Sequence, residues 1–294
     1  MSLAARVRAQ AKVNLFLRVL AREASGYHSI ETLFLRLDLA DEVTLRVASG
    51  RSLDCAGPAM PSTGLGPVER NLAFRAATMY AGETGWPAGF AIELVKRIPA
   101  GGGLGGGSAD AGAVLRTLDA LSPNPLGPRL IELAAELGAD VPFLTIDSPM
   151  ALAWGRGERL YPVRPLEARP VLLVAPDFPV ATADAYGWLA ADRGAYVPTA
   201  AVIAADALAT WEGVAGIAAN DFEPVVGRRH PAIAELVDTL RSMNAVIAML
   251  AGSGSTVFGV FGAEPDAAAL VRATGASVHR TRTSERVSKV ERIE

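Results

Sequence analysis

The chain has 294 residues, 50% of them apolar and 20% charged, which is ample material for the core of one large domain or two ordinary ones. A formal net charge of −3 excludes a general attraction for nucleic acid or for an anionic membrane. The single cysteine, Cys55, excludes an internal disulfide and points to a reducing cytoplasmic setting, and three scattered histidines give no metal-ligand spacing.

The opening segment "ARVRAQAKVNLFLRVL" alternates in part and reads as a strand; it lacks the apolar h-region of a secretory signal. "ETLFLRLDLADEVTLRVA" predicts two more short strands, and the Gly/Pro-rich residues 56 to 70 a loop. "NLAFRAATMYAGETG" has helical spacing and stops at Gly85, and "FAIELVKRI" is a strand ending at Pro99. Then "PAGGGLGGGSADAGAVLRTLDAL" puts six glycines into seven positions before an amphipathic helix with Ala111, Val114, Leu115 and Leu118 on one face. "PRLIELAAELG" is another helix, closed by Gly138. A Pro/Gly/Arg-rich stretch from 148 to 170 predicts a domain boundary. Beyond it come the strand "VLLVAP", helices near 182 to 210 and 231 to 243, a hairpin "AVIAMLAGSGSTVFGVF", a last helix "EPDAAALVRATG" and a charged tail. Strands and helices mix without βαβ alternation, so the fold class is α+β in two domains. No run approaches the roughly 18 apolar residues of a membrane span, which leaves a small molecule as the expected partner.

Strand, glycine run and helix together make an anion site: bare backbone N–H groups close on phosphate oxygens and the helix aims its positive end at them. A plain glycine hinge is the alternative on composition alone. Ser108 stands where an N-cap would, with a hydroxyl for the helix, a phosphate or a metal ion. Gly101, Gly103 and Gly106 satisfy G-x-G-x-x-G, but no βαβ half with a ribose-binding acid follows. A Walker loop needs Lys-Ser/Thr directly after the glycines, and no lysine lies between 97 and 288. Only Lys12, Lys96 and Lys289 are lysines among 28 basic residues, so each marks a place where a compact ammonium serves better than a guanidinium fork.

"PAGGGLGGGSADA" resembles the P-x-x-x-G-L-G-[GS]-[GS]-S-[AS]-x-A box of the GHMP kinases, which phosphorylate small molecules at a hydroxyl with ATP. "AKVNLFLRV", "GYHSIETLF", "LGADVPFL", "NDFEP" and "GSGSTVF" follow the order of the branch of that family whose acceptor is a cytidine-diphosphate-linked methylerythritol. The similarity runs from residue 9 to about 261 and is weakest over 182 to 216. It implies a two-domain fold, residues 1–155 with the phosphate loop and 156–294, and an active site in the cleft between them. It implies ATP held by Pro99, Ala100, Gly101, Gly102, Gly103, Leu104, Gly105, Gly106, Gly107, Ser108 and Ala109. Mg²⁺ would come through the ATP phosphates and Ser108, with no certain protein ligand.

The same resemblance makes Asp140 the base that takes the proton of the erythritol 2-hydroxyl, with Lys12 beside it. The chemistry is coherent, because an ammonium keeps the carboxylate ionised and neutralises phosphoryl oxygens. On the residues alone Asp140 also reads as a helix N-cap before Val-Pro, and Lys12 as an exposed strand lysine. Asn14, Tyr27 and His28 match positions around the cytidine, Tyr27 stacking on the base and His28 bonding its edge, with Tyr186 on the other face. The alternative for Tyr27 and His28 is an ordinary turn. Asn220 and Asp221, and Ser255 and Thr256, would close the site from the second domain; alone they read as a cap and a hairpin turn. The other members of the family, acting on homoserine, mevalonate or sugars, are the alternative function.

Overall fold

A computed structural model of the chain describes residues 3–22, 28–193, 203–274 and 276–294. Two long strands, β1 (Ala4–Arg22) and β2 (His28–Ala48), run antiparallel through the first half. The stretch predicted as two short strands is the greater part of β2. Register shifts between Gln10 and Lys12 and between Asn14 and Phe16 absorb the breaks in its alternation, as bulges do. β2 then forks. Its second half pairs with β4 (Gly89–Val95), which carries β3 (Arg51–Ala56) in parallel, and its first half pairs with β5 (Met150–Gly155), which carries β6 (Arg159–Pro162).

Helices α1 (Leu72–Thr84), α2 (Gly106–Leu121), α3 (Arg129–Leu137) and α4 (Val141–Thr145) pack on this sheet and on one another. α1 has the ends its sequence predicts: the Asn71 side chain accepts from the Ala73 N–H at 2.9 Å, and Gly85 turns left-handed at φ 71°. The predicted stripe of α2, Ala111, Val114, Leu115 and Leu118, is wholly buried. Gly138 does follow α3, but at φ 162° its backbone is extended and makes no left-handed cap.

A second sheet has the order β10 (Ser277–Arg282), β7 (Pro170–Ala175), β9 (Val257–Phe261), β8 (Ala245–Leu250). Around it lie α5 (Thr182–Arg193), α6 (Trp211–Ile217), α7 (Phe222–Arg229), α8 (Pro231–Ser242) and α9 (Ala267–Thr274). Successive residues of β7 part company: Val171 and Leu173 join the large core of the first sheet, whereas Leu172 and Val174 pack with Phe222, Val226 and Ile233. Burial on both faces explains why "VLLVAP" is uniformly apolar instead of alternating. The predicted boundary at 155/156 therefore moves. β6 still belongs to the first sheet, and β11 (Glu291–Ile293) returns to pair with β1, so the chain crosses between 162 and 170 and comes back at its end. Among the described residues no helix is long and apolar enough to cross a membrane.

Beneath the glycine stretch lies a buried ion cluster. The Lys96 ammonium, just past β4, contacts Asp41 of β2 and Asp110 of α2, and all three are at most 4% exposed. Asp41 Oδ1 also accepts from the backbone N–H of Arg97 and, at 2.8 Å, of Ile98. Burial would lower the Lys96 ammonium, but Asp110 and Asp41 outweigh it and raise it. Burial pushes the Asp110 carboxyl up to about 8, Lys96 opposing and Asp41 reinforcing the rise. The folded chain thus keeps a proton that the unfolded chain releases near about pH 4. That stabilisation is whole below the unfolded value and is lost as pH rises to about 8. Denaturant titrations should therefore show wild type losing unfolding free energy relative to Asp110→Asn as pH rises from about 5 to about 8, by at most about 1.4 kcal/mol per pH unit. A difference that stays flat with pH would contradict the assignment.

Candidate active site

The loop from Pro99 to Gly105 leaves the cluster at Lys96 and enters α2, whose first turn carries Asp110 back onto it. Gly101, Gly103 and Gly105 take φ values of 72°, 79° and 71°, alternating with residues of ordinary hand. Such alternation curls backbone N–H groups into a concave anion nest. Gly103 has no room for a side chain, since a Cβ there would lie 2.0 Å from the Ala251 carbonyl oxygen. At Gly105 a Cβ would meet Lys12 Cγ and Cε at 3.0 Å. Leu104 is buried between them, and its carbonyl accepts from the Lys12 N–H at 3.0 Å. The helix N-cap is Gly105, not Ser108 as the sequence suggested; Ser108 is the third residue of α2, its side chain on the cleft.

The cleft above this loop has a volume of about 1550 Å³, enough for two ligands of ordinary size. Its walls come from both sheets' elements. Lys12, Asn14, His28, Pro99 to Ser108 and Asp140 stand on one side, with Thr182, Tyr186, Phe222, Gly252 and Ser253 on the other. Ala109 lies behind the wall, buried at the start of α2. Asn71, Leu72 and Arg75 line the end next to Lys96.

Lys12 and Asp140 are brought together. Lys12 Nζ lies 3.2 Å from Asp140 Oδ2 and donates to Asn14 Oδ1 at 2.9 Å. Asn14 Nδ2 donates to Thr32 Oγ1 at 2.8 Å, and the Thr32 hydroxyl donates to the Phe16 carbonyl at 2.7 Å. This relay fixes the ammonium from behind, so Asn14 has its polar ends committed to Lys12 and Thr32. Asp140 stands at the N-cap position of α4, yet its carboxylate makes no capping hydrogen bond. It remains 28% exposed to the cleft while Lys12 is 5% exposed, an acceptor facing its ligand and a cation shielded behind it.

Tyr186 and His28 also meet. Their rings stack at 4.7 Å and 22°, and Tyr186 rests edge-on against Phe222 at 4.9 Å and 84°. Burial, then the Asp140 charge, raises the Tyr186 hydroxyl above its ordinary value. Tyr27 lies outside the described residues. Ser255 and Thr256 are not on the cleft wall: both are buried, and Thr256 Oγ1 would lie 2.2 Å from a Cβ on Gly102. The turn shows the cleft Gly252 and Ser253 instead, with Ser253 Oγ 3.0 Å from Thr182 Oγ1. Asn220 holds that turn, donating to the carbonyls of Leu250 and Gly252 at 2.8 Å each. Asp221 accepts from the Val19 N–H at 2.7 Å and from Arg193, tying the second sheet's helices to β1.

Comparison with known proteins agrees with this geometry. Residues 71–147 match the GHMP kinases N terminal domain and residues 204–278 the GHMP kinases C terminal model. The chain is 38% identical over 259 residues to the 4-diphosphocytidyl-2-C-methyl-D-erythritol kinase of Salinibacter ruber, covering 86% of this chain and 88% of that protein. A crystal structure of 4-(cytidine 5'-diphospho)-2C-methyl-D-erythritol kinase superposes with a TM-score of 0.76 at 34% identity, over 95% of this chain and 99% of that one. Homoserine kinase from Cytophaga hutchinsonii shares the fold at a TM-score of 0.69 but only 19% identity, over 98% and 97% of the two chains. At these identities and coverages the chain belongs to the 4-diphosphocytidyl-2-C-methyl-D-erythritol kinase family of GHMP kinases.

Proposed function

We propose that this chain phosphorylates the 2-hydroxyl of the erythritol moiety of 4-diphosphocytidyl-2-C-methyl-D-erythritol, with ATP as donor, in the non-mevalonate route to isoprenoid precursors. The observation that carries the proposal is the Lys12–Asp140 pair, one residue from a nest-forming glycine and both on a cleft sized for two ligands. In this reading the loop from Pro99 to Ser108 holds the ATP phosphates by backbone N–H groups, supported by the N-terminal end of α2. The Asp140 carboxylate accepts the proton of the acceptor hydroxyl as the oxygen attacks the γ-phosphorus. The Lys12 ammonium keeps that carboxylate ionised and offsets charge on the phosphoryl oxygens. Hydroxyl and phosphate oxygens are hard donors suited to Mg²⁺, so Ser108 and the ATP phosphates would hold it. When bound, the ion would neutralise charge on the phosphates. His28 and Tyr186, with Tyr27, are assigned to the cytidine end, where stacking gives affinity and edge contacts discriminate.

Two variants separate the parts. Gly105→Val should weaken ATP binding at least about tenfold, a loss of roughly 1.4 kcal/mol, because a branched side chain at φ 71° strains the nest and displaces Lys12. Calorimetry finding wild-type ATP affinity in a folded variant would remove the loop from the mechanism.

Asp140→Asn keeps the shape but takes no proton in the same way. It should lower kcat by about 10²–10⁴ with ATP and this acceptor, at nearly unchanged melting temperature. Lys12→Arg should lower kcat too, since a planar fork does not fit the Asn14 relay. An Asp140→Asn enzyme turning over within about threefold of wild type, far from that hundredfold minimum, would sink the base assignment.

A further inference from the structure

Arg36 stands on β2 directly across from Lys12 in the β1–β2 ladder. Its side chain stays out of the cleft, 1% exposed, and ends among backbone carbonyls at the C-terminal end of α4. Nη2 donates to the Phe143 carbonyl at 2.8 Å and to that of Ile146 at 3.1 Å, while Nε donates to Ser148 at 3.3 Å. The guanidinium carbon also lies 5.2 Å from the centre of the Phe143 ring, and that ring stacks on Phe34 at 4.8 Å. Burial, and then Arg116, lower the guanidinium to about 9 against the opposing pull of Asp147, so it stays charged at neutral pH.

A buried guanidinium is expensive, and this one is spent on a helix of five residues, far too short to stand alone. The last carbonyls of any helix lack intrahelical partners. In α4 the carbonyl of Phe143, together with those of Ile146 and Ser148 just beyond it, finds one in Arg36. The residue at the opposite end of α4 is Asp140.

We infer that Arg36 is a positioning residue for phosphoryl transfer: by gripping the carbonyls at the end of α4 it sets the Asp140 carboxylate against the Lys12 ammonium. The inference rests on the reading of Asp140 as the base. Lys12 is placed by its own backbone and Asp140 through Arg36, so both ends of the 3.2 Å contact are referred to the same rung of one ladder. A displacement of Asp140 by about 1 Å is enough to cost a large factor in rate.

A double-mutant cycle on the full chain tests this, with Arg36→Leu and Arg36→Lys made alone and together with Asp140→Asn. The readouts are kcat, KM for ATP and for the acceptor, and melting temperature. Arg36→Lys should lower kcat about tenfold or more, with both KM values within about threefold of wild type. In the Asp140→Asn background the same change should move kcat by less than about twofold, because the group it positions is already gone. A merely structural arginine would lower melting temperature alike in both backgrounds without that loss of additivity. Arg36→Lys keeps the charge and a donor, and it carries the cycle should Arg36→Leu fail to fold. Equal falls in kcat in both backgrounds, or a wild-type kcat in either folded Arg36 variant, would overturn the inference and leave the base assignment standing. Wild-type turnover in Asp140→Asn alone would overturn both.

Discussion

The Lys96 ammonium sits between the carboxylates of Asp41 and Asp110 with almost no access to water. Taking three charges out of water costs free energy that one ammonium between two carboxylates does not fully return. What the cluster supplies is placement. It joins β2, the chain leaving β4 and the start of α2, so the segment between residues 96 and 110 is fixed at both ends. A stretch with so many glycines would otherwise lose more conformational entropy on ordering than its contacts return. Pinned this way, and wedged by Gly103 against the Ala251 carbonyl, the loop keeps a defined concave backbone with few side chains of its own.

β1 serves both walls of the cleft. It carries Lys12 and Asn14 toward the phosphate loop, and farther along it binds the chain before α7, Leu17 N–H to Ala219 at 2.7 Å and Asp221 N–H to Leu17 at 3.0 Å. Asn220, from the same segment, holds the turn that presents Gly252 and Ser253. The pair assigned to proton transfer and the opposite wall are thus measured from one strand. The large apolar core continues from the first sheet's helices into one face of β7, β8 and β9, which reinforces that common frame.

Much of this was legible in the sequence because the chemistry required rare residue patterns. Six glycines in seven positions have few structural uses, and a lysine kept in an arginine-rich chain marks a site, as Lys12 and Lys96 both show. The two readings open for Asp140 are separated by geometry alone: it occupies the cap position, but its carboxylate turns to Lys12. Other features left no local trace. Asp41 and Asp110 lie 55 and 14 residues from Lys96, and nothing near either one signals a buried partner. Ser108 looked like a cap because small hydroxyl residues favour caps, yet the left-handed Gly105 starts the helix two residues before Gly107 ends the run. In "GSGST" the residues facing the cleft depend on a turn geometry that composition does not specify; Ser253 faces it while Ser255 and Thr256 pack inward. The domain limit was misplaced because β6 and β11 join the first sheet through long-range pairing.

Of all these statements, the transfer itself is the one on which the others depend. The most direct measurement is phosphorus NMR of the purified chain incubated with ATP, Mg²⁺ and 4-diphosphocytidyl-2-C-methyl-D-erythritol, with homoserine, mevalonate and galactose as parallel acceptors. The account predicts one new phosphomonoester on the 2-hydroxyl of the erythritol moiety, formed mole for mole with ADP, and no comparable product from the other acceptors. ADP released without a phosphorylated acceptor, or equal turnover of homoserine or mevalonate, would contradict it.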